Sequence, residues 1–306
     1  MEKRIVNRII EYIFFSNFFM GLLSIGLNLE TNIKLGLQLN DLDYYLFISS
    51  LSVIFYLFAY KIPIKKIKSS NQRTQFYIDH RKSIHTFNII LYIICCLYAI
   101  SIFIKTYQNL FTLHWIHYLI LIATFLLAIS YYNWKFGFSL RKYTWFKPTL
   151  IAWTWAITTV YLPLLILQLT EGISNNWDAR FYFLFSQTFM YFIVNAIMFD
   201  MKDYEDDTNR GLKTFVVKYG NQLMLNRVIL PLIFLGFLSF ILFGFWYDLP
   251  LHRILFMLVP IILMAIFAFK LNRPKSILYY LIAIDGMIFL KAIFGILSVI
   301  QFEYEL

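Results

Sequence analysis

Residues 228 to 247 read VILPLIFLGFLSFILFGFWY, which is 20 consecutive positions without a charged side chain. A helix needs about 20 apolar residues to cross the hydrocarbon core of a bilayer, so this run predicts a membrane-spanning helix. The whole chain has the same character: 60% of its 306 residues are hydrophobic, 14% are charged, and the mean hydropathy is +0.66. A soluble fold cannot bury that much apolar surface, and the composition therefore excludes a soluble enzyme or binding domain.

Eight further apolar runs of similar length predict eight more spans. The nine predicted spans cover residues 9–27, 43–60, 85–104, 113–132, 149–169, 181–199, 228–247, 254–269 and 277–300. We therefore expect an all-α, polytopic membrane protein with nine transmembrane helices, formed by a single domain over residues 1–306. The eighth run is short, and Pro260 is a position at which its helix could be interrupted.

Basic residues are distributed unequally between the two sets of alternate connections. The N-terminus and the second, fourth, sixth and eighth connections hold 22 Lys and Arg residues, whereas the opposite set holds 4. Because basic residues mark the cytoplasmic side, we expect the N-terminus in the cytoplasm and an integral protein of the bacterial inner (cell) membrane. The same asymmetry accounts for most of the net charge of +10, so no nucleic-acid partner is needed to explain that charge.

Acidic residues are sparse except directly after the sixth predicted span, where five lie within eight positions, among them Asp200, Asp203 and Asp207. The spacing of three and then four places these three carboxylates on one face if the helix continues. Clustered carboxylates without Cys or His suit Mg²⁺, which keeps waters and bridges to substrate phosphates. The pattern thus indicates a magnesium-bound diphosphate, with Lys213 nearby as counter-charge; the alternative is a solvated acidic loop.

The segment NAIMFDMKDYEDDTNRGLKTFVVKYG, residues 195 to 220, resembles the second aspartate-rich motif of the UbiA superfamily of intramembrane prenyltransferases. The matching positions are Asn195, Asp200, Asp203, Asp207, Gly211, Lys213, Thr214 and Gly220. The resemblance implies a helical bundle around a central cavity. It also implies transfer of an isoprenyl group from a prenyl diphosphate to a hydrophobic acceptor, either an aromatic ring or another hydrophobic nucleophile, with Mg²⁺ as cofactor. Membrane lipids are the other expected partners. In that scheme Asp200, Asp203 and Asp207 are the catalytic metal ligands.

The family's other aspartate-rich motif, expected after the second span, has no counterpart in this chain. Residues 59–83 read AYKIPIKKIKSSNQRTQFYIDHRKS and carry lysines instead of paired carboxylates. Either these lysines replace the charge of a second metal ion or no ionisation is catalysed. The candidate substrate-binding residues are Asn195, Arg141, Lys147, Lys213 and Lys61, of which Arg141 and Lys147 are also explained by topology alone.

The missing motif leaves a second function open, namely a non-catalytic protein that binds an isoprenoid lipid or serves as a membrane partner. A small-solute transporter is disfavoured because matching broken helices are not evident in the two halves. Within the ninth span, Asp285 and Lys291 are six positions apart and are not expected to pair. Asp285 is interpreted either as a cavity residue or as an interhelical hydrogen-bonding group.

Overall fold

The computed structural model describes residues 2–58, 72–131, 146–172, 177–202, 215–271 and 275–300. In these ranges the chain forms helices and turns and no strand. The helices are α1 (Glu2–Phe15), α2 (Phe18–Lys34), α3 (Leu42–Phe58), α4 (Gln72–Asp79), α5 (Arg81–Leu110), α6 (Trp115–Tyr131), α7 (Phe146–Glu171), α8 (Ala179–Lys202), α9 (Phe215–Tyr219), α10 (Asn221–Trp246), α11 (Leu251–Lys270) and α12 (Ile277–Val299).

Six of these helices, α5, α7, α8, α10, α11 and α12, are long and apolar enough to cross a membrane. The bent pair α1 and α2 makes a seventh if the two helices form one broken span. Helices α3 and α6 are apolar but have 17 residues each, which is slightly short for a 30 Å hydrocarbon core. The helices are consistent with a membrane protein, and the nine-span count and the N-terminal orientation stay predictions.

The first predicted span, residues 9–27, differs from the structure in two ways: the chain is bent, and its helix ends at a later residue. The chain bends by 65° between α1 and α2, and Asn17 at the break has a left-handed φ of 63°. Asn is one of the few side chains that adopts this conformation readily, and it therefore serves as the hinge residue. Beyond the bend, α2 continues past residue 27 to Lys34.

Helix α2 extends further than hydropathy predicts because its polar residues are buried and have partners. Asn28 Nδ2 donates to the Ser24 carbonyl at 2.7 Å, and the Tyr44 hydroxyl donates to Asn28 Oδ1 at 2.7 Å. Thr31 Oγ1 donates to the Thr159 carbonyl at 2.7 Å. This carbonyl belongs to a π-helical turn of α7, a type of turn that loosens the regular hydrogen-bond ladder. Interhelical hydrogen bonds thus compensate for side chains that would be costly in lipid.

Helix packing surrounds a central space on most sides. Helix α2 packs between α3 and α12, α7 packs along α8, and α11 joins α12 to α10. Trp155 of α7 and Phe192 of α8 stack with ring centroids 4.6 Å apart. Helix α11 continues through Pro260, so this run is not interrupted. Helices α5 and α6 lie at the periphery, since α5 contacts mainly α3 and α7, while α6 contacts mainly α7.

Candidate functional site

A cavity of about 780 Å³ lies between α2, α3, α6, α7, α8 and α12, with single contributions from α1, α4 and α5. This volume is within the range of small-molecule sites in proteins. Most of the lining is apolar, and its charged side chains are Arg73, Lys147, Asp200, Lys202 and Asp285. All five come from α4, the start of α7, the end of α8 or the first half of α12, so the cavity has one charged end and a long apolar body.

Lys147 and Asp200 form a buried ion pair at the charged end. Lys147 lies at the start of α7 and Asp200 near the end of α8, and the antiparallel packing of these helices brings the two side chains together. The Lys147 ammonium donates to Asp200 Oδ1, and the side chains are 9% and 1% exposed. The structure therefore brings together one predicted metal ligand and one predicted substrate-binding residue.

Asn195 and Asp285 connect α8 to α12 next to this pair. Asn195 Nδ2 donates to Asp285 Oδ1 and to the Ile284 carbonyl, both at 3.2 Å. Both side chains also line the cavity. The two interpretations of Asp285, as a cavity residue and as an interhelical hydrogen-bonding group, are therefore compatible in this fold. Arg73 and Lys202 are close enough to interact electrostatically with the Asp285 carboxylate.

Arg73 is a site residue that the sequence did not single out. It lies on α4, within the connection where the first aspartate-rich motif is missing, and it is 7% exposed. Its Nη2 donates to Asn17 Oδ1 at the bend, Asn17 Nδ2 donates to the Tyr77 hydroxyl at 3.0 Å, and this hydroxyl donates to the Phe15 carbonyl at 2.8 Å. The bend thus positions the guanidinium group. In the sequence, Arg73 is one of several basic residues that topology explains equally well.

The remaining predicted site residues, Asp203, Asp207, Lys213, Arg141 and Lys61, lie outside the described residues. Within the described part of the chain, no group of three His, Cys, Asp or Glu side chains could hold a metal ion. Asp200 is the one motif carboxylate described there, and it is engaged by Lys147. The described residues alone therefore do not fit a magnesium ion.

The charge balance of the described lining favours an anion. Arg73, Lys147 and Lys202 contribute three positive charges, against the two carboxyl groups of Asp200 and Asp285. Ammonium and guanidinium groups bind phosphate oxygens through charge-assisted hydrogen bonds. The charged end of the cavity can accordingly hold a phosphate or diphosphate group.

The body of the cavity suits a hydrocarbon chain. Aromatic side chains of seven helices contribute to its lining, and they include Phe14, Phe19, Phe55, Tyr56, Tyr92, Phe125, Tyr131, Trp155 and Phe199. Trp155 Nε1 donates to the Tyr56 hydroxyl at 3.0 Å, so the polar atom of the indole ring has a partner. Their ring faces can contact an apolar chain, and they can also stabilise a cation in a dry site.

A second buried charge network lies outside the cavity lining. Glu30 of α2 binds the ammonium groups of Lys34 and Lys291, each at 2.8 Å, and Lys291 Nζ also donates to Thr188 Oγ1 at 3.0 Å. As expected, Lys291 does not pair with Asp285. Its partner Glu30 was missed because it lies three positions beyond residue 27, where hydropathy ends the first span, although α2 continues to Lys34.

No family model matches this chain, and no curated protein or solved structure is significantly similar to it. The function is therefore inferred from its residues and their geometry.

Proposed function

We propose that this protein is a UbiA-like intramembrane prenyltransferase. It transfers an isoprenyl group from a prenyl diphosphate to a hydrophobic, aromatic acceptor, uses Mg²⁺, and resides in the bacterial cell membrane with its N-terminus in the cytoplasm. The observation that carries the proposal is the cavity itself, in which a cation-rich end adjoins an aromatic and apolar body. An amphiphile with a phosphorylated head and a hydrocarbon tail has this same polarity.

The residues of the charged end have distinct roles in this proposal. Arg73, Lys147 and Lys202 bind the diphosphate oxygens and stabilise the negative charge that develops as this group leaves. The bond from the prenyl carbon to the diphosphate oxygen breaks, and both electrons depart with the oxygen. The acceptor then donates an electron pair to the prenyl cation and loses a proton to water or diphosphate. Aromatic ring faces such as that of Trp155 stabilise the cation while the apolar body excludes water.

The proposed magnesium ligands are Asp200, Asp203 and Asp207, and the support for this set is their spacing in the sequence. A bound Mg²⁺ would neutralise charge on the diphosphate leaving group. Of these three ligands, Asp200 lies within the described residues, and the ammonium group of Lys147 on α7 neutralises its carboxylate. Arg73 lies in the segment without carboxylates, and its positive charge can act where a second metal ion would otherwise be needed.

One observation favours a second candidate function, the non-catalytic binding of an isoprenoid lipid. The ion pair between Lys147 and Asp200 already engages one oxygen of a carboxylate that metal-dependent chemistry requires. A cavity with this pairing holds a phosphorylated lipid through its cations alone. The two functions share one ligand and differ in whether diphosphate is released.

A binding and turnover experiment tests the proposal. Purified wild-type protein is titrated with geranylgeranyl diphosphate, with and without Mg²⁺, while thermal unfolding and the release of inorganic diphosphate in the presence of aromatic acceptors are followed. We expect a saturable rise in Tm, diphosphate release that needs Mg²⁺, and loss of that release in Asp203→Asn. The control is Asp178→Asn, a carboxylate directly before the first residue of α8, at the end of this helix opposite to the motif.

The outcomes separate the two candidate functions. Saturable binding without diphosphate release supports the non-catalytic lipid-binding protein. Absence of any saturable shift with or without Mg²⁺ excludes both. Equal turnover by Asp203→Asn and wild type excludes the assigned metal site.

A further inference from the structure

Asp285 is a buried carboxyl group to which the steps described above assign no chemistry. It lines the cavity and is 6% exposed. The other carboxylate of the described lining, Asp200, forms an ion pair with Lys147, whereas no Lys or Arg of the described residues forms an ion pair with Asp285. An ionisable side chain inside a membrane bundle is costly to bury, so its position at the cavity indicates a chemical role.

A π-helical turn of α12 places this side chain. Residues Tyr280–Ile284 form the turn, and regular α-helical geometry resumes at Asp285. Such turns occur frequently at functional sites. Asn195 Nδ2 donates to the last carbonyl of the turn, that of Ile284, and to Asp285 Oδ1, each at 3.2 Å. The amide thus fixes one carboxylate oxygen. Asp285 Oδ2 has no hydrogen-bond donor among the described residues, so it is available to a molecule in the cavity.

Asp285 lies where the charged end of the cavity meets the aromatic body. Arg73 and Lys202 of the charged end interact electrostatically with its carboxylate. In the aromatic body, the Tyr56 hydroxyl interacts electrostatically with the same carboxylate and accepts the hydrogen bond from Trp155 Nε1 at 3.0 Å. The prenyl carbon that reacts is bonded to the diphosphate. When the cations hold the head group, this carbon therefore lies at the same boundary as Asp285.

The surroundings of Asp285 allow it both to bind and to release a proton. The neighbouring cations Arg73 and Lys202 favour the carboxylate, whereas burial favours the neutral acid. A residue that accepts a proton and returns it within one catalytic cycle needs both states. Asp200 lacks this balance, because the ammonium group of Lys147 binds it directly and holds it as a carboxylate.

We propose that Asp285 is the general base that takes the proton from the aromatic acceptor during prenyl transfer. This inference rests on the proposed function and names the first acceptor of that proton. A ring carbon gives an electron pair to the prenyl cation and forms the new C–C bond. Asp285 Oδ2 then removes the proton from that ring carbon, and the electron pair of the C–H bond restores the aromatic ring. The acid formed in this way passes its proton to the departing diphosphate, which regenerates the carboxylate.

The fate of the prenyl cation tests this role. Full-length wild type and Asp285→Asn are incubated with geranylgeranyl diphosphate, Mg²⁺ and 2-naphthol, and released diphosphate, prenylated naphthol and geranylgeraniol are quantified. Asn has the shape of Asp and can still accept the Asn195 hydrogen bond, but it is not a base. We expect Asp285→Asn to release diphosphate within about threefold of wild type and to form prenylated naphthol about 100-fold more slowly. Geranylgeraniol should accumulate instead, because water captures the cation.

A deuterium isotope effect separates proton removal from a structural role. Without the base, loss of the ring proton becomes the slow step, so ring-deuterated 2-naphthol should react more slowly than 2-naphthol in Asp285→Asn and equally fast in wild type. Asp285→Glu retains a carboxylate and should recover part of the product formation without the isotope effect. The matched control is Asn195→Ala, which removes the same interhelical hydrogen bonds but keeps the base, and it should show no isotope effect whatever its Tm.

The failure of this role is distinguishable from the failure of the function. If wild type prenylates 2-naphthol and Asp285→Asn does so equally fast, Asp285 is not the base. An isotope effect in Asn195→Ala as large as in Asp285→Asn, or loss of lipid binding in both Asp285→Asn and Asp285→Glu, would show a structural role instead. If wild type releases no diphosphate, or releases it without prenylating the naphthol, the proposed function is wrong in its chemistry or its acceptor, and the base assignment fails with it.

Discussion

Replacing Glu30 with Gln should be among the most destabilising single changes in this protein. Glu30 is 0% exposed, and its two carboxylate oxygens bind Lys34 and Lys291 at 2.8 Å each. The amide of Gln has the same shape but no charge. The substitution therefore leaves the Lys291 ammonium, which is 3% exposed, without a counter-ion inside the bundle.

The geometry sets the order of the expected effects. Loss of one partner of a buried ion pair costs about 3–5 kcal/mol, and we expect Glu30→Gln to fall in this range. Lys291→Met leaves Glu30 paired with Lys34 and removes the hydrogen bonds of the ammonium group to Glu30 and Thr188. Because Thr188 is a neutral hydroxyl, the charged bond to Glu30 dominates the expected cost of about 1.5–3 kcal/mol. The double variant Glu30→Leu with Lys291→Met should cost less than the sum of the single changes, because no unpaired charge remains between α2 and α12.

Thermal unfolding in detergent micelles measures these differences. With an unfolding entropy of about 2.1 cal/mol/K per residue, a 306-residue chain shifts by about 1.6 °C per kcal/mol, so Glu30→Gln should lower Tm by about 5–8 °C. The matched control is Asp41→Asn, the same chemical change at a surface ion pair in which Asp41 is 56% exposed and lies 2.6 Å from Lys105. Surface pairs contribute less than about 1 kcal/mol, so the control should shift Tm only slightly.

Two results would refute this reasoning. Equal shifts for Glu30→Gln and Asp41→Asn would mean that the buried network is not dry in the folded protein. A larger effect of Lys291→Met than of Glu30→Gln would mean that Lys34 does not compensate the carboxylate.

Two further predictions concern a close helix contact and the cation at the cavity. A Cβ on Gly295 would lie 2.7 Å from Glu30 Cδ, so Gly295→Ala should cost about 1–3 kcal/mol of stability in the same unfolding assay. The control is Gly286→Ala on the same helix, where a Cβ would have no neighbour within 4 Å and the change should be neutral or stabilising. Equal Tm values for the two variants would contradict the close packing of α12 on α2. Arg73→Met should weaken prenyl diphosphate binding about 10- to 100-fold, as measured by titration, because charged hydrogen bonds contribute about 1.5–3 kcal/mol. The exposed Arg81→Met is its control, and equal affinities would remove Arg73 from the phosphate site.

The class of protein could be predicted from the sequence because the bilayer imposes a local rule. A spanning segment must satisfy its own backbone hydrogen bonds and present apolar side chains, so a run such as 228–247 indicates a helix without reference to any other part of the chain. Asp200 could be selected from its spacing to the aspartates that follow it, and Asn195 from the motif that its segment resembles. The structure places both at the cavity.

The tertiary structure decided what depends on distant partners. Hydropathy ended the first span at residue 27, but α2 continues through Glu30 because Lys291, 261 positions away, neutralises this residue. Arg73 resembles any other basic residue of its connection until the bend at Asn17 holds it at the cavity. A local window of sequence shows that a charged residue would be costly to bury, but it does not show which distant residue will neutralise it. The two partners come into contact only when the helices have packed.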